Sequence, residues 1–249
     1  MKPMEIFTKA DWQDLFEKCG LRTGSRVIFE YGWADVKTAG GMVTILEALM
    51  DTVSEKGAII IPAYTTDAID PDCEAAGFCD FEQLQAYRRS LSGFDKVFSG
   101  GPDGALTLLR LGGQRTEHPY LPYVYWGSVP ETWEKQPLDL PQCHVLELFE
   151  PGISCDLLIG KEAKDSILYS AMAHAAKFDI AYVQKGYLHR PKRSLAKTYL
   201  MSRPDPEHEE QIMEMIRVAR PDTVIGEVSA LTLFNSWQKT VQIFEENDE

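Results

Sequence analysis

Arg26-Val-Ile-Phe-Glu30 and Gly57-Ala-Ile-Ile-Ile-Pro62 are two short apolar runs rich in β-branched residues, the composition of buried strands. Between them, Tyr31 to Gly41 reads as a glycine-ended loop, and Met42 to Val53 repeats its apolar residues at the helical period. Strand, helix and strand in this order make a βαβ unit, whose crossover is right-handed and whose strands are parallel in nearly all cases. The expected fold class is α/β: a single-domain mixed α/β sandwich on a βαβ core, spanning residues 1–249.

Outward from that unit, local signals place the other elements. Upstream, Thr8 is a candidate cap for a helix through Lys18 with Trp12, Leu15 and Phe16 on its apolar stripe, and Gly20 ends it. Downstream, Asp67 to Asp80 is an acidic, cysteine-bearing stretch without a period, read as a surface loop able to lid a cleft. Helices are expected over Phe81 to Leu91, Asp165 to Lys177 and from Pro204-Asp-Pro through Ala219, with a last one from Ser236. Tyr120 to Gly127 and Cys155 to Gly160 read as strands, and short helical runs follow Gly127-Ser-Val-Pro and cover Cys143 to Phe149. Ile180 to Arg190 alternates like an antiparallel strand, turns at Pro191-Lys-Arg and returns over Ala196 to Ser202, its basic residues a solvated edge.

Composition narrows the function. The net charge of −13 makes nucleic acid a poor partner, because phosphate binding needs a cationic surface, and is compatible with a basic substrate. No run approaches the roughly 18 apolar residues of a membrane helix, so a cytoplasmic protein without a membrane partner is expected. Five cysteines without paired short spacings argue for reduced thiols, with no metal site, although Cys73 and Cys79 lie close together. Adjacent Cys143 and His144 do not make a nucleophile pair, since neighbouring helical residues point about 100° apart.

The densest cluster of polar residues is the stretch Gly104-Ala-Leu-Thr-Leu-Leu-Arg-Leu-Gly-Gly-Gln-Arg-Thr-Glu-His-Pro119. Asp103 is the expected cap, Ala105, Leu106, Leu108 and Leu109 the apolar face, and Gly112-Gly113 the stop. Pro119 forces His118 out of helical conformation and onto a turn, where it is either a hydrogen-bonded structural histidine or a base facing a cleft. A second feature is the loop Ala34 to Gly41, whose glycines before a helix offer free amides to an anion.

The Gly104-Ala-Leu helix and its Arg115-Thr-Glu-His-Pro119 turn resemble the aminoglycoside 3-N-acetyltransferase family, which has Arg-Ser-x-His-Pro here. Strand, glycine pair and helix over 26–53 match that family as well, as do Pro62-Ala-Tyr-Thr-Thr66, the apolar strand ending at Gly160 and the segment Ile225 to Phe234. Two family motifs are replaced. Glu30, Tyr31 and Gly32 stand nearest its His-Ser-Ser, and no register of 165–177 keeps its His-x-x-Glu pair.

The resemblance implies acyl transfer from coenzyme A, used as acetyl-coenzyme A, to a primary amine of an amino sugar, aminocyclitol or related small molecule. It places the coenzyme at Tyr31, Gly32, Gly40, Gly41 and Thr65, with Gly40-Gly41 amides and the Thr65 hydroxyl as oxyanion donors; Thr65 reads equally as a turn residue. Glu30 and Asp165 are candidates to hold the substrate amine. The attacking amine must lose a proton, and the candidate bases are His118 first, then His174, Tyr169 or Glu30. Changed motifs leave open another donor, such as an acyl carrier protein, or a catalytically inactive scaffold; a homodimer is compatible with either.

Overall fold

The computed structural model describes residues 6–32, 37–66, 68–70, 81–150, 152–219, 222–225 and 228–232. In chain order, β1 (Ile6–Phe7) leads into α1 (Lys9–Lys18), β2 (Arg26–Tyr31), β3 (Lys37–Thr38), α2 (Met42–Val53) and β4 (Ala58–Pro62). Then follow α3 (Phe81–Ser90), α4 (Asp103–Arg110), β5 (Gln114–Arg115), β6 (Tyr123–Gly127), β7 (Ser154–Ile159) and α5 (Ile167–Ala175). The chain closes with β8 (Asp179–Arg190), β9 (Arg193–Pro204), α6 (Glu209–Ala219), β10 (Asp222–Ile225) and β11 (Val228–Thr232). No described helix is long and apolar enough to cross a membrane.

The expected βαβ unit is present: β2 and β4 are parallel, joined through α2, with Arg26 opposite Ala58. They lie inside a seven-stranded sheet of order β10-β11-β7-β2-β4-β6-β5, in which β7 also runs parallel to β2 and the remaining pairings are antiparallel. Strand alternation divides the core into two layers. Val27 and Phe29, with Ile59 and Ile61, face α1, α2 and α4; Ile28 and Ile60, with Tyr123 and Tyr125, face α5, α6 and the 3₁₀ segment Pro141–Leu148. At the start of α1, Thr8 and Asp11 cap reciprocally, and Gly20 beyond its end takes a φ of 85°.

β8 and β9 form a separate ribbon, longer at its return strand than the alternation suggested, in register from Asp179 opposite Pro204 to Arg190 opposite Arg193. Isolated bridges Ile69 to Gly186 and Phe94 to Leu188 tie it to the body.

Several expectations shift. Asp103 does not cap α4: it is the first helical residue, Pro102 holds the cap position, and no side chain caps the end. The helix buries Gly104, Ala105, Thr107 and Leu108, leaving Leu106 and Leu109 half-buried. The first turn packs on the sheet: a Cβ on Gly104 would be in ordinary contact, 3.6 Å from Phe29 and 3.7 Å from Ile61. Asp165 ends a 3₁₀ turn rather than opening α5; Ser166 caps that helix, its hydroxyl accepting the Tyr169 N–H at 3.1 Å. Most of the expected lid, Asp67 and residues 71–80 with Cys73 and Cys79, lies outside the described residues, as do 33–36 and the last helix.

Candidate active site

Because β2, β4 and β7 are parallel neighbours, their carboxyl ends share one sheet edge, where open α/β sheets place ligands. A cavity of about 150 Å³ lies there. Strand ends contribute Phe29, Glu30, Tyr31, Ile61 and Pro62, with Tyr64 and Lys161 just beyond; the helix starts contribute Met42 from α2 and Pro102, Asp103 and Gly104 at α4.

Its charged centre is Glu30. Alternation along β2 turns this side chain to the α5 face, where it is 5% exposed. Oε1 accepts the Ile167 N–H at 2.6 Å, and Oε2 accepts from Lys161 Nζ at 2.5 Å. Burial is the main influence and pushes the carboxyl above the usual carboxylate range, against the opposing pull of Lys161 and the Ile167 amide. Tyr64, partly exposed, packs edge-on against Tyr120 at 5.6 Å. Burial at its hydroxyl, then nearby Glu30, push that group far above the ordinary phenol value, so it stays neutral.

Gly32 brings Lys161 into place. A Cβ on Gly32 would sit 2.3 Å from the Gly160 carbonyl oxygen and 2.7 Å from Lys161 Cγ, so the ends of β2 and β7 touch only because that atom is missing. Gly32→Ala should therefore destabilise the protein by roughly 1–3 kcal/mol of overpacking. A variant that melts with the parent would mean that the two strand ends have room to part. At the start of α2, Gly40 and Gly41 take φ of 84° and 65°, and no side chain caps the helix. Backbone amides of such an end are suited to an anion.

The profile of the aminoglycoside 3-N-acetyltransferase family matches residues 34–143. The SPbeta prophage-derived aminoglycoside N(3')-acetyltransferase-like protein YokD of Bacillus subtilis is 25% identical over 131 residues, 49% of this chain and 47% of YokD. That sequence match spans about half the length of the relative. The crystal structure of YokD superposes with a TM-score of 0.79 at 18% identity, over 98% of this chain and 95% of that one. The chain therefore has the fold of these proteins, and its residues 34–143 match the profile of the aminoglycoside 3-N-acetyltransferase family. AAC-IIIb in its binary form with CoASH gives a TM-score of 0.72 at 18% identity, over 98% of each chain. AAC-VIa bound to sisomicin gives 0.70 at 16% identity, again over 98% of each.

On this acetyltransferase fold, Glu30 and Tyr31 line the cavity, Gly32 shapes it, and Gly40 and Gly41 precede the lining residue Met42. Asp165 is exposed and reaches Glu30 only through its charge. The other candidates lie elsewhere, each for a stated reason. His118 is fully buried: Nδ1 accepts the N–H groups of Tyr120 and Leu121 at 3.1 and 2.9 Å, so Nε2 carries the proton and donates to Leu138 O at 3.0 Å. With both ring nitrogens occupied, it has no lone pair for an amine, and burial lowers its pKa to about 4. These are the bonds of the structural alternative.

The buried Thr65 hydroxyl donates to Pro119 O at 2.8 Å, the bond expected of a turn residue. His174 sits in the last turn of α5 with Nδ1 2.7 Å from Asp179 Oδ2. Glu30 meets that helix at Ile167, seven residues earlier, which is about 10 Å along the axis. Tyr169 is 4% exposed and feels the charges of Glu209 and Lys164, which line a different hollow. Burial pushes the Cys143 thiol up to about 12. Sequence reasoning missed Lys161 and Tyr64. Placing β7 beside β2 would have found the lysine, because it follows the strand end adjacent to Glu30.

Proposed function

We propose that this protein transfers an acyl group from coenzyme A to the primary amine of an amino sugar, aminocyclitol or related small molecule, with Glu30 as proton acceptor. The observation that carries this reading is the buried Glu30–Lys161 pair at the sheet edge where two uncapped helices, α2 and α4, begin. AAC-IIIb with CoASH and AAC-VIa with sisomicin support coenzyme and amine as the two partners.

The chemistry follows from what must move. An ammonium has no lone pair, so its proton passes to the Glu30 carboxylate, whose raised pKa makes it a better acceptor than an exposed acid. The freed nitrogen forms a C–N bond at the thioester carbonyl, and backbone amides at a helix start face the oxyanion that develops. Collapse breaks the C–S bond, and the departing thiolate takes the remaining ammonium proton, giving amide and free thiol. Lys161 holds the carboxylate in position and offsets its charge when no ammonium is present. The left-handed Gly40-Gly41 pair leaves the α2 amides open to the coenzyme's diphosphate.

Calorimetry with acetyl-coenzyme A is the direct test, paired with thiol release over a panel of amines. Binding at a hundredfold excess over Kd should also stabilise the fold by about 2.7 kcal/mol. No heat and no thermal shift at millimolar ligand would end the acyl-transfer reading.

A further inference from the structure

Gly104 is the second residue of α4, and its backbone is not in the left-handed region that favours glycine. Nor does a close approach demand it. The heavy atoms nearest a Cβ there would be Phe29 Cε1 at 3.6 Å, with Ile61 Cδ1 and Met42 Sδ at 3.7 Å, all ordinary contact distances. Alanine is also the better helix former, so neither the helix nor its packing on the sheet calls for a glycine. What the bare Cα leaves is room for one carbon atom among three apolar side chains. Phe29, Ile61, Met42 and Gly104 itself all line the cavity at the carboxyl ends of β2 and β4.

That cavity has two unlike sides. Phe29 and Glu30 are neighbours on β2 and point to opposite faces of the sheet. Phe29 and Ile61 belong to the apolar layer against α2 and α4, with Met42 packed on it, whereas Glu30 is bonded to the Ile167 amide at the start of α5 and to Lys161. A hydrocarbon laid beside that ion pair would displace water from the charges and replace none of its bonds. An acyl group whose carbonyl meets an amine near Glu30 therefore turns its tail to the side of Gly104. The cavity measures about 150 Å³ and must hold the reacting carbonyl as well, so the tail is short.

We infer that Gly104 and Met42 form the subsite for the tail of a short unbranched acyl group, with the bare Cα of Gly104 setting the chain length accepted; this rests on the acyl-transfer reading above. A tail ending at that point touches Phe29, Ile61 and Met42 together. Phe29 and Ile61 are fixed in central strands and bar a branched or aromatic group, while Met42, half-buried at the first position of α2, is the one adaptable wall.

The experiment compares the parent with Gly104→Ala and Met42→Ala, first by melting, then by calorimetry with coenzyme A and its acetyl, propionyl, butyryl and isobutyryl thioesters, and last by thiol release over a panel of amines. Gly104→Ala should melt at or above the parent and bind free coenzyme A as before. It should bind the longest thioester the parent accepts roughly tenfold more weakly relative to the donor one carbon shorter, since one methylene in an apolar pocket is worth about 10–200-fold. Met42→Ala should move that ratio the other way. The same ratios in the parent and in Gly104→Ala, with coenzyme A bound by both, would overturn the inference, as would a parent that prefers isobutyryl- to butyryl-coenzyme A. If the ratios shift as expected but no amine releases thiol, the acyl-transfer reading falls and the acyl subsite stands. A parent that binds none of these molecules ends both.

Discussion

Lowering the pH from 7 to 4 should cost the fold roughly 3 kcal/mol through His118 alone, at 1.36 kcal/mol for each unit of pKa shift. The folded imidazole has a pKa of about 4 because it is buried with both nitrogens committed, against an ordinary value of 6.5. Between those values the unfolded chain binds a proton that the folded one refuses. The contribution is therefore complete above 6.5 and lost as pH falls towards 4. Asp70 does not confuse the measurement: burial pushes it up, but its bonds to Tyr187, Arg88 and Lys185 outweigh this and hold it below the ordinary carboxylate value. Urea melts of the parent and of His118→Gln at pH 7 and pH 4.5 separate the term. The variant is expected to be less stable at pH 7 and flatter across the window; parallel pH profiles would contradict the assignment. His118→Ala strands two amides and a carbonyl, each worth about 1–3 kcal/mol when left buried without a partner. Its turnover per folded molecule should nevertheless match the parent, because both ring nitrogens are committed to backbone groups.

Glu30→Gln is expected to do the reverse, lowering turnover by about a hundred- to ten-thousand-fold while the protein stays folded. Glutamine keeps an oxygen for the Ile167 amide but cannot take a proton from an ammonium. The acidic limb of the pH–rate profile should vanish with it. Lys161→Met supplies the companion measurement: the lysine's charge lowers the Glu30 pKa, so its removal should move that limb to higher pH. A Glu30→Gln enzyme within about threefold of the parent, with the acidic limb intact, would return the base to another group.

What the sequence made legible was whatever is encoded within a turn or a strand. The period change between 26 and 62 disclosed the βαβ unit, Thr8 and Gly20 marked both ends of α1, and alternation found the ribbon. What it hid depends on distant partners. The turn before Pro119 was correctly placed, yet the fate of the His118 ring is decided by Leu138, twenty residues later. Glu30 was a candidate, but its partner stands 131 residues away, and only the strand order brings the two together. Asp103 has the chemistry of a cap, yet the helix starts one residue earlier than expected, at Asp103 itself, with Pro102 in the cap position.

The separation of Glu30 and Lys161 also bears on biosynthesis. β7 enters the sheet beside β2 only after β6 has been made, so a nascent chain holds Glu30 long before it holds Lys161. Until then the carboxylate has no lysine and no Ile167 amide, both of which arrive with residues 161–167. A polypeptide halted before that point carries residues 34–143, which match the acetyltransferase profile, without either partner of Glu30. Premature termination or proteolysis in the 128–150 region therefore parts Glu30 from both of its partners, and under the proposed reaction neither piece should show turnover.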